Sequence, residues 1–83
     1  MSKWRHIVDV SQVFHEESMT YEGRRDRIVT QLRKLADKMG GADADLLSDL
    51  LDDLEGADNE DEFDSFWDEI YDWADDNRVW INT

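Results

Sequence analysis

The chain contains no cysteine and no proline. Without cysteine there is neither a disulfide framework nor a thiolate metal site, which fits a reducing compartment. Without proline, no helix need be interrupted by a residue that lacks an N–H. Glycine is scarce too: there are four, two of them adjacent at Gly40-Gly41, and no Gly-rich phosphate loop. No apolar run approaches the roughly 20 residues of a membrane-spanning helix, and no basic-then-apolar leader occurs. The expectation is a cytoplasmic protein. One further scarcity is local. Between Met39 and Asn77 there is not a single Lys or Arg.

What is present is acid. The 83 residues carry a net charge of −13, and that charge is segregated. Residues 1–38 hold eight Lys and Arg against six Asp and Glu; residues 39–77 hold sixteen Asp and Glu and no cation. Nucleic-acid affinity comes largely from basic side chains on phosphates. Direct binding of DNA or RNA by the acidic half is therefore excluded, and an anionic membrane surface is disfavoured. A length of 83 residues is one domain, 1–83, with a small core.

The acidity is not that of a disordered tail. Such tails lack aromatics, whereas "DEFDSFWDEIYDWADD", Asp61 to Asp76, contains Phe63, Phe66, Trp67, Tyr71 and Trp73. At about 100° per residue, these rings share one arc with Ile70 and Ala74. Asp61, Glu62, Asp64, Asp68, Glu69, Asp72, Asp75 and Asp76 take the other. The stretch reads as an amphipathic helix with Asp58 or Asn59 as N-cap, and Asn59 and Glu62 stand at capping-box spacing. Asp75 and Asp76 oppose the helix dipole at its C-terminal end.

Two helices are predicted before it. "MTYEGRRDRIVTQLRKLADKMGG" offers Thr20 as N-cap and Gly40-Gly41 as stop. Tyr21, Ile28, Val29, Leu32, Leu35, Ala36 and Met39 share its apolar face, and Arg24, Arg27, Lys34 and Lys38 form a basic stripe. "DADLLSDLLDDLEG" reads as a shorter helix capped by Asp43, with Leu46, Leu47, Leu50, Leu51 and Leu54 on its face. The ends differ. "WRHIVDVSQVF" and "RVWIN" are rich in β-branched and aromatic residues and read as strands. The predicted class is α+β, mainly α. Its order is β-α-α-α-β, with three amphipathic helices packed on a two-stranded ribbon of the chain ends. An all-α bundle with extended ends is the alternative.

Carboxylates at this density raise three chemistries. A calcium loop needs Gly at its sixth position; counted from Asp58, that position is Phe63. Acid–base catalysis needs a carboxyl whose environment tunes it, and these lie on an exposed helix face. His6 and His15 match no nucleophile or metal spacing. The expectation is no enzyme activity, no metal and no cofactor. The third chemistry is electrostatic display. Asp61, Asp64, Asp68, Asp72 and Asp75 form a stripe about 21 Å long. Neighbours in it lie about 5–6 Å apart, of the order of successive phosphates along a DNA strand. Asp45, Asp49, Asp52 and Asp53 of the preceding helix offer a second row.

The strings "MSKWRHIVDVSQVFH", "MTYEGRRDRIV" and "EFDSFWDEIYDWADDNRVWINT" resemble small acidic proteins of actinobacterial phages, particularly those infecting mycobacteria. The resemblance covers the larger part of the chain and leaves out "GGADADLLSDLLDD". It implies phage origin and action in the host cytoplasm. It carries over no functional residue, because that family has no assigned activity. In composition alone the chain is also similar to phage DNA mimics, such as anti-restriction proteins, some anti-CRISPR proteins and uracil-DNA glycosylase inhibitors.

Two functions follow as expectations. One is an acidic DNA-mimic inhibitor that occupies the basic, DNA-binding surface of a host protein. The other is an interaction or assembly module, monomeric or homodimeric, whose acids serve solubility.

Overall fold

The computed structural model describes residues 3–16 and 18–83. In order they form β1 (His6–Asp9), α1 (Ser11–Phe14), α2 (Tyr21–Met39), α3 (Gly41–Glu55), α4 (Glu60–Asp76) and β2 (Val79–Asn82). This is the predicted mainly helical α+β arrangement, with the chain ends paired as a ribbon, plus one short helix.

That short helix replaces the second half of the predicted first strand. The Asp9 carboxylate accepts from both the amide and the hydroxyl of Ser11, a local turn that competes with extension. Val10 and Val13 then bury, with Phe14 packed against the core. Their spacing of i, i+3, i+4 is helical, so the alternation of "WRHIVDVSQVF" holds only as far as Asp9.

The long helices begin and end on local chemistry. Thr20 Oγ1 accepts from Gly23 N at 3.1 Å and starts α2. Gly40, at φ 65°, closes it by donating to Ala36 O at 3.0 Å. Gly41 follows at φ 78°. Two successive positive-φ residues, which side chains rarely tolerate, turn the chain straight into α3. That helix therefore starts at Gly41, and Asp43 is not its cap as predicted but lies in its first turn. Asn59 Oδ1 caps α4 by accepting from Glu62 N at 2.9 Å, while Glu62 reaches back to Asp58 N at 2.8 Å.

The three long helices surround one core, with Ile28, Leu32, Leu47, Leu51, Leu54 and Ile70 fully buried. Leu46 does not join it. Predicted on the inner face, it is 53% exposed, because α3 turns Ala44, Leu47, Leu51 and Leu54 inward instead. An aromatic cluster closes one end: Trp67 stacks on Phe63 at 5.6 Å and meets Phe14 at 5.7 Å and Tyr71 at 5.3 Å.

The ribbon is parallel, with His6 opposite Val79 and Asp9 opposite Asn82. Four chain reversals explain this. Asp9 lies near Gln31 and the N-terminal half of α2, so β1 and α2 run oppositely. Arg33 reaches Asp52 and Glu55, which makes α2 and α3 a hairpin. Trp73 Nε1 donates to Asp43 O at 3.1 Å, which makes α3 and α4 another. Tyr71 Oη bonds Thr83 Oγ1 at 3.2 Å, so β2 returns along α4. An even number of reversals leaves β2 pointing the same way as β1.

Candidate acidic interface

The stripe on α4 is positioned by its opposite side. Phe63, Trp67, Ile70, Trp73 and Ala74 are buried in the core, and this fixes the rotation of the helix. Asp61, Asp64, Asp68, Asp72 and Asp75 are all exposed as a result. Five carboxylates over about 21 Å of axis is about two-thirds of the linear charge density of one strand of DNA, which carries a phosphate every ~3.4 Å. Because the helix is locked into the core, the charges are held on a rigid element.

From Asp64 to Asp76, no carboxylate of α4 makes a side-chain hydrogen bond or ion pair among the described residues. The ion pairs in the described chain are Arg25 with Asp26 at 3.3 Å, and Arg33 with Asp52 at 2.8 Å and Glu55 at 3.0 Å. Arg25 and Arg33 of α2 are thus engaged away from α4. Arg25 Nη1 donates to Ala57 O at 2.8 Å, a carbonyl that also accepts from Tyr21 Oη at 2.9 Å. Burial pushes the Tyr21 phenol above its ordinary value, and Arg25 pulls the other way. Arg24 donates to Met19 O at 3.3 Å, while its buried Nε has no partner among the described residues.

Asp45, Asp49, Asp52 and Asp53 are exposed on α3, but they do not form a second row beside the first. Asp52 faces α2, where it and Glu55 accept hydrogen bonds from Arg33 and so raise the guanidinium pKa. Asp53 lies on the α4 side, in a shallow groove with Asp52, Gly56, Glu62, Ser65 and Phe66. The α4 flank towards α3 is therefore that of Glu62, Ser65 and Phe66. The predicted stripe occupies the far flank. Asp64 lines a groove of about 200 Å³ with Phe14, Tyr21, Arg24, Arg25 and Phe63. Asp75 lines another, beside the terminal ribbon.

Charge accordingly wraps around the α3–α4 hairpin rather than lying in two adjacent rows. The residues that bridge the gap are Glu62, Glu69 and Asp76. At about 100° per residue they share the flank towards α3, and their seven-residue spacing is the signal for it. They were placed on the polar arc by sequence but not among the interface candidates.

Among the described residues no three His, Asp or Glu side chains are grouped as metal ligands. No helix there is long and apolar enough to cross a membrane. The chain matches no protein-family model, no curated protein and no solved structure.

Proposed function

We propose that this is a non-enzymatic phage protein that acts in the host cytoplasm as an acidic decoy, binding the basic DNA-binding surface of a host enzyme or regulator. The observation that carries the reading is the state of α4. A helix anchored by five buried side chains displays carboxylates from Asp64 to Asp76 that make no side-chain hydrogen bond or ion pair among the described residues. A surface shaped only for solubility mixes signs and gains i,i+4 pairs. This one tolerates like-charge repulsion along a full helix, and a cationic partner would relieve it.

Such a partner would be steered in rapidly and held in a salt-sensitive way. The test is competition. The immobilised chain is exposed to host lysate at low salt, and duplex DNA is then added. A decoy releases its partner to the DNA, and added salt does the same. A partner that stays bound through both treatments overturns the reading. The assembly-module reading, favoured by the outward Ile7 and Trp80 of the ribbon, would then replace it.

A further inference from the structure

We infer that the free edge of β1 docks an extended, acidic segment of another protein, which adds to the ribbon as a third strand. The inference goes beyond the decoy reading and does not rest on it. The ribbon has two strands, so each keeps one unpaired edge. His6 N donates to Arg78 O at 3.5 Å, and Val10 N, just past the strand, donates to Asn82 O at 2.9 Å. Alternate residues of a ladder face the partner strand, so Val8 between them faces β2 as well. Ile7 and Asp9 turn their main-chain N–H and C=O groups to the other side. No hydrogen bond reaches those groups from the described residues.

That edge opens on a groove of about 240 Å³ between β1 and α2. The strand lines one side from His6 to Asp9, and Gln31, Lys34, Leu35 and Lys38 line the other. Lys34 and Lys38 are exposed and make no ion pair among the described residues. Lys3 and Arg5 add cations just ahead of the strand in sequence. The nearby acids are Asp9 and Asp37. The Asp9 carboxylate is engaged by the Ser11 amide and hydroxyl, and Asp37 lies outside the lining of the groove. The acidic stripe of α4 meets the opposite side of the ribbon, where Asp75 sits beside Trp80 and Thr83. The two edges of the ribbon therefore carry opposite charge, and the β1 edge is the basic one.

Spacing sharpens the match. Lys34 and Lys38 are about 6 Å apart along the helix axis. Side chains i and i+2 of a strand share a face about 6.6 Å apart. An added strand with carboxylates at i and i+2 on its inner face meets both ammonium groups. Its outer face lies beside Ile7, which is 68% exposed, so apolar residues suit the positions between the acids. Main-chain bonds then supply affinity, and the alternate side chains supply specificity. A second copy fits poorly. Symmetric pairing of two β1 edges sets Lys34 and Lys38 against their own counterparts. The strands of a second copy, "HIVD" and "VWIN", hold one acid between them, while its acidic rows lie on helices whose backbone is already bonded. Lysine beside an edge repels a like-charged strand, and the same charge admits an acidic one.

The probe is the end-blocked hexapeptide Glu-Val-Glu-Val-Glu-Val, compared with Lys-Val-Lys-Val-Lys-Val, on the full chain at neutral pH and physiological ionic strength. Binding is read by NMR titration and by amide hydrogen exchange. Saturating acidic peptide is expected to slow exchange at Ile7 and Asp9 at least about ten-fold, with a smaller change at Val8 and Val10, whose amides already bond β2. The basic peptide is expected to leave all four as they were. Lys34→Gln with Lys38→Gln, at exposed positions without ion pairs, is expected to weaken the acidic peptide about five-fold or more. The exchange result is read on the parent chain, so it stands whatever that variant does. Binding without slower exchange at Ile7 and Asp9 overturns strand addition. Equal binding of the basic peptide, or undiminished affinity in the folded Gln variant, overturns the acidic occupant. No binding at millimolar peptide overturns the proposal outright. Ile7 and Asp9 amides that become protected in the free chain as its concentration rises show that a second copy pairs along the edge, which overturns it too.

Discussion

Helices α2 and α4 are similar in length and equally well anchored, yet they use their polar sides in opposite ways. On α2 the charges build the fold. Arg25 holds the α3–α4 turn through Ala57 O, and Arg33 clasps α3 through Asp52 and Glu55. On α4, beyond the cap at Glu62, no carboxylate holds anything within the described chain. The contrast shows that Arg25 and Arg33 tie α2 to its neighbours, whereas the acids of α4 beyond Glu62 tie it to nothing within the described chain. It also explains how −13 coexists with a compact core: the repulsion is spread over solvent-facing flanks, and the apolar flank carries the stability.

The strongest way to break that contrast is to attack the apolar flank. Trp67 is 7% exposed and touches Phe14, Phe63 and Tyr71. Trp67→Ala is expected to cost about 3–5 kcal/mol, a large share of the total for a small domain. Urea denaturation measures it, and a loss under 1 kcal/mol would mean that α4 is not anchored as described. Next comes Arg25→Ala. Removal of a charged donor from the buried Ala57 carbonyl is expected to cost about 1.5–3 kcal/mol. Arg33→Ala, whose partners are exposed, should cost no more than about 1 kcal/mol. Equal losses for the two would erase the distinction between a structural cation and a surface pair.

A smaller effect of opposite sign is expected on α4. Changing Asp64, Asp68, Asp72 and Asp75 to Asn removes like-charge neighbours, each pair worth about 0.2–0.5 kcal/mol. The variant should melt slightly higher than the parent at low salt. Added salt should stabilise the parent more than the variant. A destabilised variant would show that these carboxylates have structural partners after all.

The smallest effect concerns Asp9. The Ser11 hydroxyl and amide hold its carboxyl below the ordinary value of 3.8. A depressed folded pKa stabilises the fold above 3.8, and that contribution is lost as pH falls through the folded value. Acid unfolding of Asp9→Asn should therefore lack part of the parent's decline below about pH 4. Identical acid profiles would mean that the α1 turn does not depend on this carboxylate.

Much of this molecule was determined by sequence alone. Thr20, Gly40 and Asn59 mark helix boundaries because caps are satisfied within a few residues of chain. The apolar faces of α2 and α4 follow from periodicity, which needs no knowledge of neighbours. Charge segregation is composition, and no fold can undo it. Tertiary structure decided what periodicity leaves open. A helical period says which side of α4 is buried, but not which polar flank will lie against α3. The stripe from Asp61 to Asp75 therefore turned away from Asp53 and left Glu62, Glu69 and Asp76 in between. Arg33 captured Asp52 because a hairpin brought α2 against α3, across a separation that no local rule reaches. Leu46 fell outside the core because Ala44 fitted inside it. The parallel pairing of His6–Asp9 with Val79–Asn82 came from the number of chain reversals between them. Contacts that join the two ends of a chain are fixed by everything that lies between.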